Sequence, residues 1–368
     1  MNLFCFSIHS RIAKNALSLQ ERFDLAAQIP ELYVNFYGII AWRFEPFQDC
    51  ANNLRKGFEI GLSSGNNYVG LLCALQVIKT KIITGSNLKS LLNEIDYYLH
   101  LLKTFQITRG INLMINFRET VSVLIDKGQA TSIEAKAAFG DLNDPGNRLR
   151  DVFYFHQAIQ AYWSGYTERC HHYIEKHMSV VGQVVRLSTF QMEFYHGKEA
   201  EDEVMVMILL LFYILLNLYL FSISNVTGLN SIDKYRGKNT FKCREIAGNC
   251  ISTMREAAAN SDWNFTNKLC LLEAEQQSLS YDHCQAIASY DASITSARKS
   301  GFIHEQGLAC EKAGFYHKRN GAVCKAAEYF KQAHECYEEW GSSMKVDFIQ
   351  GELNNVQILV NSELARER

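Results

Sequence analysis

The sequence predicts an all-α protein, on three observations. Proline is nearly absent, a forty-residue repeat runs through the C-terminal third, and short turn clusters separate apolar stretches of helical length. Pro30, Pro46 and Pro145 are the only prolines in 368 residues, where average usage predicts roughly eighteen. From Gly146 to Arg368 there is none. Proline breaks helix interiors and also populates β-turns and sheet edges, so a long stretch without it reads as helix after helix.

The elements follow in order. Residues 1–20 form an N-terminal segment expected to be poorly ordered. Leu3 to Ile8 is shorter than a signal-peptide apolar region, and Arg11 and Lys14 lie after it, a weak likeness to an organellar transit peptide. Residues 21–140 read as worn helical repeats. Asp49 to Leu62 makes a helix, Ser63–Asn67 a turn, Tyr68 to Thr84 the next helix, and Gly85–Asn87 a break before Leu88 to Thr104. Phe139–Gly146 is the densest turn cluster and the best internal boundary. A middle pair, residues 147–202, places Arg148 to Ser164 and Tyr166 to Val180 around Gly165. Residues 203–232 hold an apolar helix, and residues 233–360 carry the clearest repeats.

In those repeats Cys270 recurs as Cys310, Cys284 as Cys324, Ala286 as Ala326 and Gly301 as Gly341, each forty residues on. At the same offset Ala274 pairs with Gly314, Tyr290 with Phe330, and Ser293 with Ala333. A small residue, Ala twelve later, an aromatic four after that and a small residue three further is tetratricopeptide spacing. The small positions let two antiparallel helices approach, and Tyr290 and Phe330 fill the space between that pair and the next. Gly321 falls where the turn inside a pair belongs, while Gly301 and Gly341 terminate second helices. The period exceeds the usual thirty-four or so, so helices or connections are longer than standard. The expected fold is therefore a tetratricopeptide-like antiparallel helix-pair solenoid.

Val204 to Ser224 admits two readings. Its twenty-one residues span about 30 Å as a helix, the thickness of a bilayer core. Acidic residues precede it (Glu199, Glu201, Asp202, Glu203) and basic ones follow (Lys234, Arg236, Lys238), which would put the C-terminal half in the cytoplasm. The other reading is a helix buried on all sides within a helical array. The corresponding locations are cytoplasmic, or membrane-bound through a single pass at 204–224.

Charge and motifs bound the function. Lys and Arg number 37 against 39 Asp and Glu, a formal charge of −2, which removes the strongest argument for nucleic acid, whose phosphates want a basic face, and no nucleic-acid partner is expected. The eleven cysteines are dispersed, odd in number and without C-x-x-C spacing, which suits buried reduced thiols. No phosphate loop, HExxH, GxSxG, HRD or DFG string occurs, so no catalytic residue and no cofactor is expected. Cys170, His171, His172, Glu175 and His177 form the one constellation with metal-ligand chemistry. On a helix Cys170 shares a face with His177, and His171 shares another with Glu175. A second helix would have to supply the remaining ligands, none is evident, and no metal is expected. Tyr329, Tyr337 and Trp340, interleaved with Glu335, Glu338 and Glu339, read as inter-helix packing with Gly341 as the helix cap.

The stretch Asn264-Phe265-Thr266-Asn267-Lys268-Leu269-Cys270-Leu271-Leu272-Glu273-Ala274-Glu275 resembles a recurring segment of very large signalling proteins. Those proteins carry a serine/threonine kinase-like domain, an AAA-type ATPase, a tetratricopeptide-like helical region, a GAF domain and a histidine kinase. Ala286, Tyr290, Gly301-Phe302-Ile303, Glu305, Phe315-Tyr316, Gly321, Ala326, Tyr329, Ala333, Tyr337, Trp340-Gly341 and Lys345-Val346 are similar to the same helical region. Tyr37-Gly38, Glu45-Pro46, Gly57, Gly61 and Gly65-Asn66 look like its start. The likeness covers roughly Leu19 to Gln350, with poor stretches from Ile107 to Phe139 and from Lys198 to Tyr235. It implies a helical array that couples a nucleotide-binding switch to sensor and kinase modules, and it brings no catalytic residue. The expected function is a non-catalytic interaction module with a protein or peptide partner on its concave face. The alternatives are a single-pass membrane protein with a cytoplasmic helical domain, or a fragment of a larger sensor kinase. The residues nearest to a site, Ala274, Ala286, Tyr290, Gly314, Ala326, Phe330 and Ala333, are packing positions.

Overall fold

Several helices in the computed structural model end where the sequence supplies a residue that accepts a left-handed backbone. The structure describes residues 28–126, 140–142, 144, 149–180, 224–233, 236, 241–279 and 283–366, with Asn15 and Ser18. Among the described residues there is no strand. The helices are α1 (Ile29–Asn35), α2 (Phe47–Ser63), α3 (Asn67–Thr84), α4 (Leu88–Thr104), α5 (Thr108–Ile125), α6 (Arg150–Trp163), α7 (167–180) and α8 (224–233). They continue as α9 (Phe241–Asn260), α10 (Asp262–Gln277), α11 (His283–Lys299), α12 (Ile303–Arg319), α13 (Val323–Trp340) and α14 (Ser343–Arg366). Gly301, Gly321 and Gly341 adopt φ of 72°, 75° and 88° at the ends of α11, α12 and α13. The turn positions expected at these glycines are therefore present.

The forty-residue period is explained by helix length. In the repeat that begins at Ile303, helices of 17 and 18 residues fill it almost entirely. Only Asn320–Ala322 and Gly341–Ser342 are left to connect them. So short a connection folds each helix back on its predecessor, and α9 to α14 pack in succession as antiparallel pairs. The fold is the all-α helix-pair solenoid arrangement.

The chain forms two compact units. One takes in the described residues within Met1–Thr80, Glu94–Thr120 and Thr131–Ser224; the other those within Lys81–Asn93, Val121–Ala130 and Asn225–Arg368. The boundaries expected near 140, 202 and 232 are linear, whereas these units interleave along the chain and divide α3, α4 and α5. The segment 1–20 (Asn15 and Ser18 apart) and Val204 to Ile223 of the apolar run lie outside the described residues. Among the described residues no helix is long and apolar enough to cross a membrane.

In the first unit α1 continues through a π turn, Phe36–Ile40, and a 3-10 turn, Ala41–Arg43, before α2. Glycines set the closeness of the α2–α3 crossing. A Cβ on Gly61 would lie 2.6 Å from the Gly70 Cα, and one on Gly57 would lie 2.9 Å from the Cys73 Sγ. The α5–α6 contact is polar inside. Thr120 Oγ1 donates its single proton to the Asn116 carbonyl at 2.9 Å and accepts from Gln160 Nε2 at 3.1 Å. His156 Nδ1, 3.0 Å from the same hydroxyl, must therefore be the protonated ring nitrogen. His177 Nδ1 likewise donates to the Asp151 carbonyl, at 2.9 Å.

Both imidazoles are buried, and burial pushes them down, to about 3 for His156 and about 4 for His177. As pH falls below 6.5 the unfolded chain takes up protons that the folded imidazoles refuse, so stability is lost from there down to the folded values. Burial holds the Asp151 carboxyl up at about 6, which acts in the opposite sense between there and 3.8. Two histidines against one aspartate leave a net acid lability. His177→Asn keeps a donor toward Asp151 but removes one titration. The gap in thermal stability between wild type and H177N should shift in the variant's favour by roughly 1 kcal/mol per pH unit from pH 6 to about 4. Parallel melting curves across that range would show that His177 does not titrate late.

Candidate interaction surface

The second unit builds a polar face from the first helices of its successive pairs, α8, α10, α12 and α14. The helix 224–233 stands forty residues before α10, and α9 stands in the same way before α11, so the repeat extends one pair upstream of the two legible in the sequence. Lys, Arg, Asp and Glu are rarely buried unless paired, and here they are paired between helices.

Arg236, just beyond α8, donates to Glu275 of α10 at 2.9 Å. Lys268 of α10 meets Glu305 of α12 at 2.8 Å, with the Lys268 ammonium 4.1 Å from the Phe302 ring centroid. Lys312 of α12 reaches back to Asp233 of α8 at 2.8 Å. Lys345 of α14 meets Glu311 of α12 at 2.6 Å, and Tyr337 donates to the same carboxylate at 2.6 Å. Lys318 of α12 meets Glu352 of α14 at 2.6 Å. Four of these pairs join one first helix to the next, two of them α12 to α14, and Lys312–Asp233 reaches from α12 across to α8, so together they tie the register of the array. Arg319, at the last turn of α12, is the cation of this face that has no ion pair among the described residues.

Two capping side chains join helix ends within this unit. Asn87 accepts from Ser90 N–H at 3.1 Å, capping α4, and donates to the Glu339 carbonyl at 2.8 Å in the last turn of α13. Ser342 precedes α14 and donates to the Leu124 carbonyl in the last turn of α5. One side chain thus satisfies unpaired groups at two helix ends. Beside them Gly85, at φ 71°, lies against the His304 ring, which packs on Trp340 with centroids 5.4 Å apart.

The packing positions named from the sequence are core. Ala274, Ala286, Ala326, Phe330 and Ala333 have no exposed surface, and Tyr290 almost none. Gly314 receives Phe330, whose Cδ1 would be 2.6 Å from an added Cβ. Phe330 therefore fills space within its own pair, against Gly314 and Phe315, where the spacing suggested the gap to the next pair. Tyr290 does bridge pairs: its hydroxyl donates to Glu275 of α10, and its ring stands 5.5 Å from that of Tyr316 in α12. Tyr337 and Trp340 are buried, and Tyr329 stacks on His317 and donates to Asp291 at 2.6 Å.

The Cys170–His177 constellation lies on α7, in the first unit, and is not gathered into one place. Cys170 and His177 are buried, while His171 sits 3.4 Å from the exposed Glu175, and His172 is exposed. Among the described residues no group of three His, Cys, Asp or Glu side chains is placed to hold a metal ion.

The interhelix ion pairs escaped the sequence reading because a Lys or Glu on a helix is ordinarily solvent-facing. One signal was available. Glu305 and Lys345 stand forty residues apart, so the same register position carries opposite charges in successive repeats.

No protein family and no curated protein matches this chain. Among solved structures it is similar to a circular tandem repeat protein with novel repeat topology and enhanced subunit contact surfaces. The identity is 9%, the match covers 98% of this chain and 91% of that one, and the TM-score is 0.24. The fold assignment rests on the helices and their packing.

Proposed function

We propose that the protein is a non-catalytic interaction module that holds a protein partner on the first-helix face of its C-terminal array. The observation that carries this reading is the pairing pattern. Five interhelix ion pairs preorganise one face, and the last first-helix, α14, leaves Phe348, Ile358 and Leu359 exposed beside it, Ile358 at 66%. A rigid face with scattered apolar anchors suits binding more than chemistry, because a partner gains contacts there without having to order the surface first. By its resemblance to the helical region of large signalling kinases, the finer role would be to couple a switch to sensor and output modules.

The second helix α13 meets α12 at Gly307 and Gly314, with Cys310 buried one turn after the first. In the same register α14 carries Asp347, Gln350 and Asn354, all exposed. That side of α14 is thus polar, and its apolar residues lie on the side toward which first helices succeed one another. A photo-crosslinking residue at Ile358 of the full chain, in cells that naturally make it, should yield a discrete protein adduct. The same residue at the exposed Lys331 of α13 should not. No adduct from Ile358, or equal adducts from both positions, would remove the reading.

A further inference from the structure

The ionic bookkeeping of the first-helix face leaves one group over. Arg236, Lys312 and Arg319 gather with Asp233 and Glu275 as the carboxylates among the described residues. Both carboxylates are committed. Asp233 Oδ2 binds Lys312, Glu275 Oε2 binds Arg236, and Glu275 Oε1 accepts from the Tyr290 hydroxyl. Arg236 is held further by Ser278 Oγ at 3.0 Å. Arg319 lies within electrostatic reach of Arg236, Glu275, Tyr290 and Asp233 and, among the described residues, forms no ion pair. Partial burial and the like charge of Arg236 both disfavour its guanidinium. An arriving anion would offset the like charge of Arg236.

The neighbouring register position says what else the ligand presents. Leu359 stands forty residues after Arg319, so it holds the same place on α14, the adjacent first helix. Packed helix axes lie about 8–10 Å apart, within the width of a single bound peptide. Leu359, Ile358 and Phe348 are exposed apolar side chains on that helix. The Lys318–Glu352 pair joins the two helices and is already neutralised.

We infer that the first-helix face recognises an acidic amphipathic segment of a protein partner, one carboxylate of which pairs with Arg319 while its apolar side chains cover Phe348, Ile358 and Leu359. This deepens the interaction-module reading and rests on it. The segment supplies the missing anion of an otherwise matched set, and a carboxylate is the group that the array itself places opposite every other cation of the face. A guanidinium offers a carboxylate two parallel donors, which gives direction as well as charge.

The test is fluorescence anisotropy with the full chain and a labelled peptide of about fifteen residues, long enough for a marginal helix. It carries leucines at helical spacing and a central Glu, and its control has Gln in that place. The wild-type chain should prefer the Glu peptide by about five-fold at low salt, a preference that added salt erodes. Arg319→Gln should abolish that preference with the melting temperature unchanged, since Arg319 makes no ion pair among the described residues, and Arg319→Lys should restore part of it. Equal binding of Glu and Gln peptides to the wild-type chain, or a preference that survives R319Q, overturns the inference. So does displacement of the peptide by millimolar inorganic phosphate in wild type but not in R319Q, which would mark Arg319 as a phosphate seat. If the Ile358 adduct persists in R319Q while the Glu preference is absent, acid recognition fails and the interaction module stands.

Discussion

Gly85→Ala should destabilise the second unit more than any other single methyl addition in the described chain. Gly85 has φ 71°, where a residue with a Cβ is disfavoured by about 1–2 kcal/mol. Its Cβ would also lie 1.9 Å from His304 Nδ1 and 2.5 Å from the ring Cγ. The ring cannot swing away, because it is buried and packed on Trp340. Overpacking of this kind costs roughly 1–3 kcal/mol in addition. The sum, about 2–5 kcal/mol, is to be measured by urea denaturation of G85A. Gly65→Ala is the internal control, since Gly65 has φ 79° and nothing within 4 Å of an added Cβ. It should lose only the backbone part. Equal losses at both positions would mean that the turn after α3 does not press on α12.

Glu311→Ala is the second large effect. Lys345 and Glu311 are each less than a tenth exposed, and the Lys345 ammonium lies 5.1 Å from the Tyr337 ring centroid and 4.9 Å from that of Phe348. Removing the carboxylate strands a buried ammonium and the Tyr337 hydroxyl, which costs about 3–5 kcal/mol. Glu311→Met with Lys345→Met together should recover most of that loss, because a desolvated pair is worth little more than apolar residues of similar volume. A single mutant as stable as the double would show that the pair does not hold α12 to α14. Lys325→Ala supplies the contrast. Its partner Glu328 lies 2.7 Å away, but both side chains are about 60% exposed, and such surface pairs contribute little.

Local signals in the sequence carried much of this structure. Gly301, Gly321 and Gly341 marked helix ends because the left-handed turn after a helix favours glycine, and each stands there. Ala274, Ala286 and Ala326 marked close helix contacts because a small side chain lets helices approach, and all three are fully buried. The upstream pair, α8 and α9, was hidden for the complementary reason. Cys250 of α9 stands where α11 has Tyr290 and α13 has Phe330, and it packs against Gly228 of α8. The large aromatic that announces a repeat is absent there, although the geometry persists.

The long-range contacts had no such signal. Gly85 against His304, Asn87 on Glu339 and Ser342 on Leu124 join parts of the chain far apart in sequence. Each of those residues has a sufficient local explanation as a helix cap or turn, so nothing in the sequence asks for a second role. The contacts between first helices are also made by charges that look solvated one by one. Lys268, Glu305, Glu311 and Lys345 become legible only when the pairing across first helices is known. Arg319 stands out only when that pairing is complete.

Amide hydrogen exchange of the full chain, with and without the acidic amphipathic peptide, tests the central claim most directly. The claim is that a partner binds the first-helix face of the C-terminal array. Slowed exchange confined to α12 and α14, with α6 and α7 unchanged, is the predicted result. Protection on the second helices α11 and α13 alone, or no protection at saturating peptide, would contradict it.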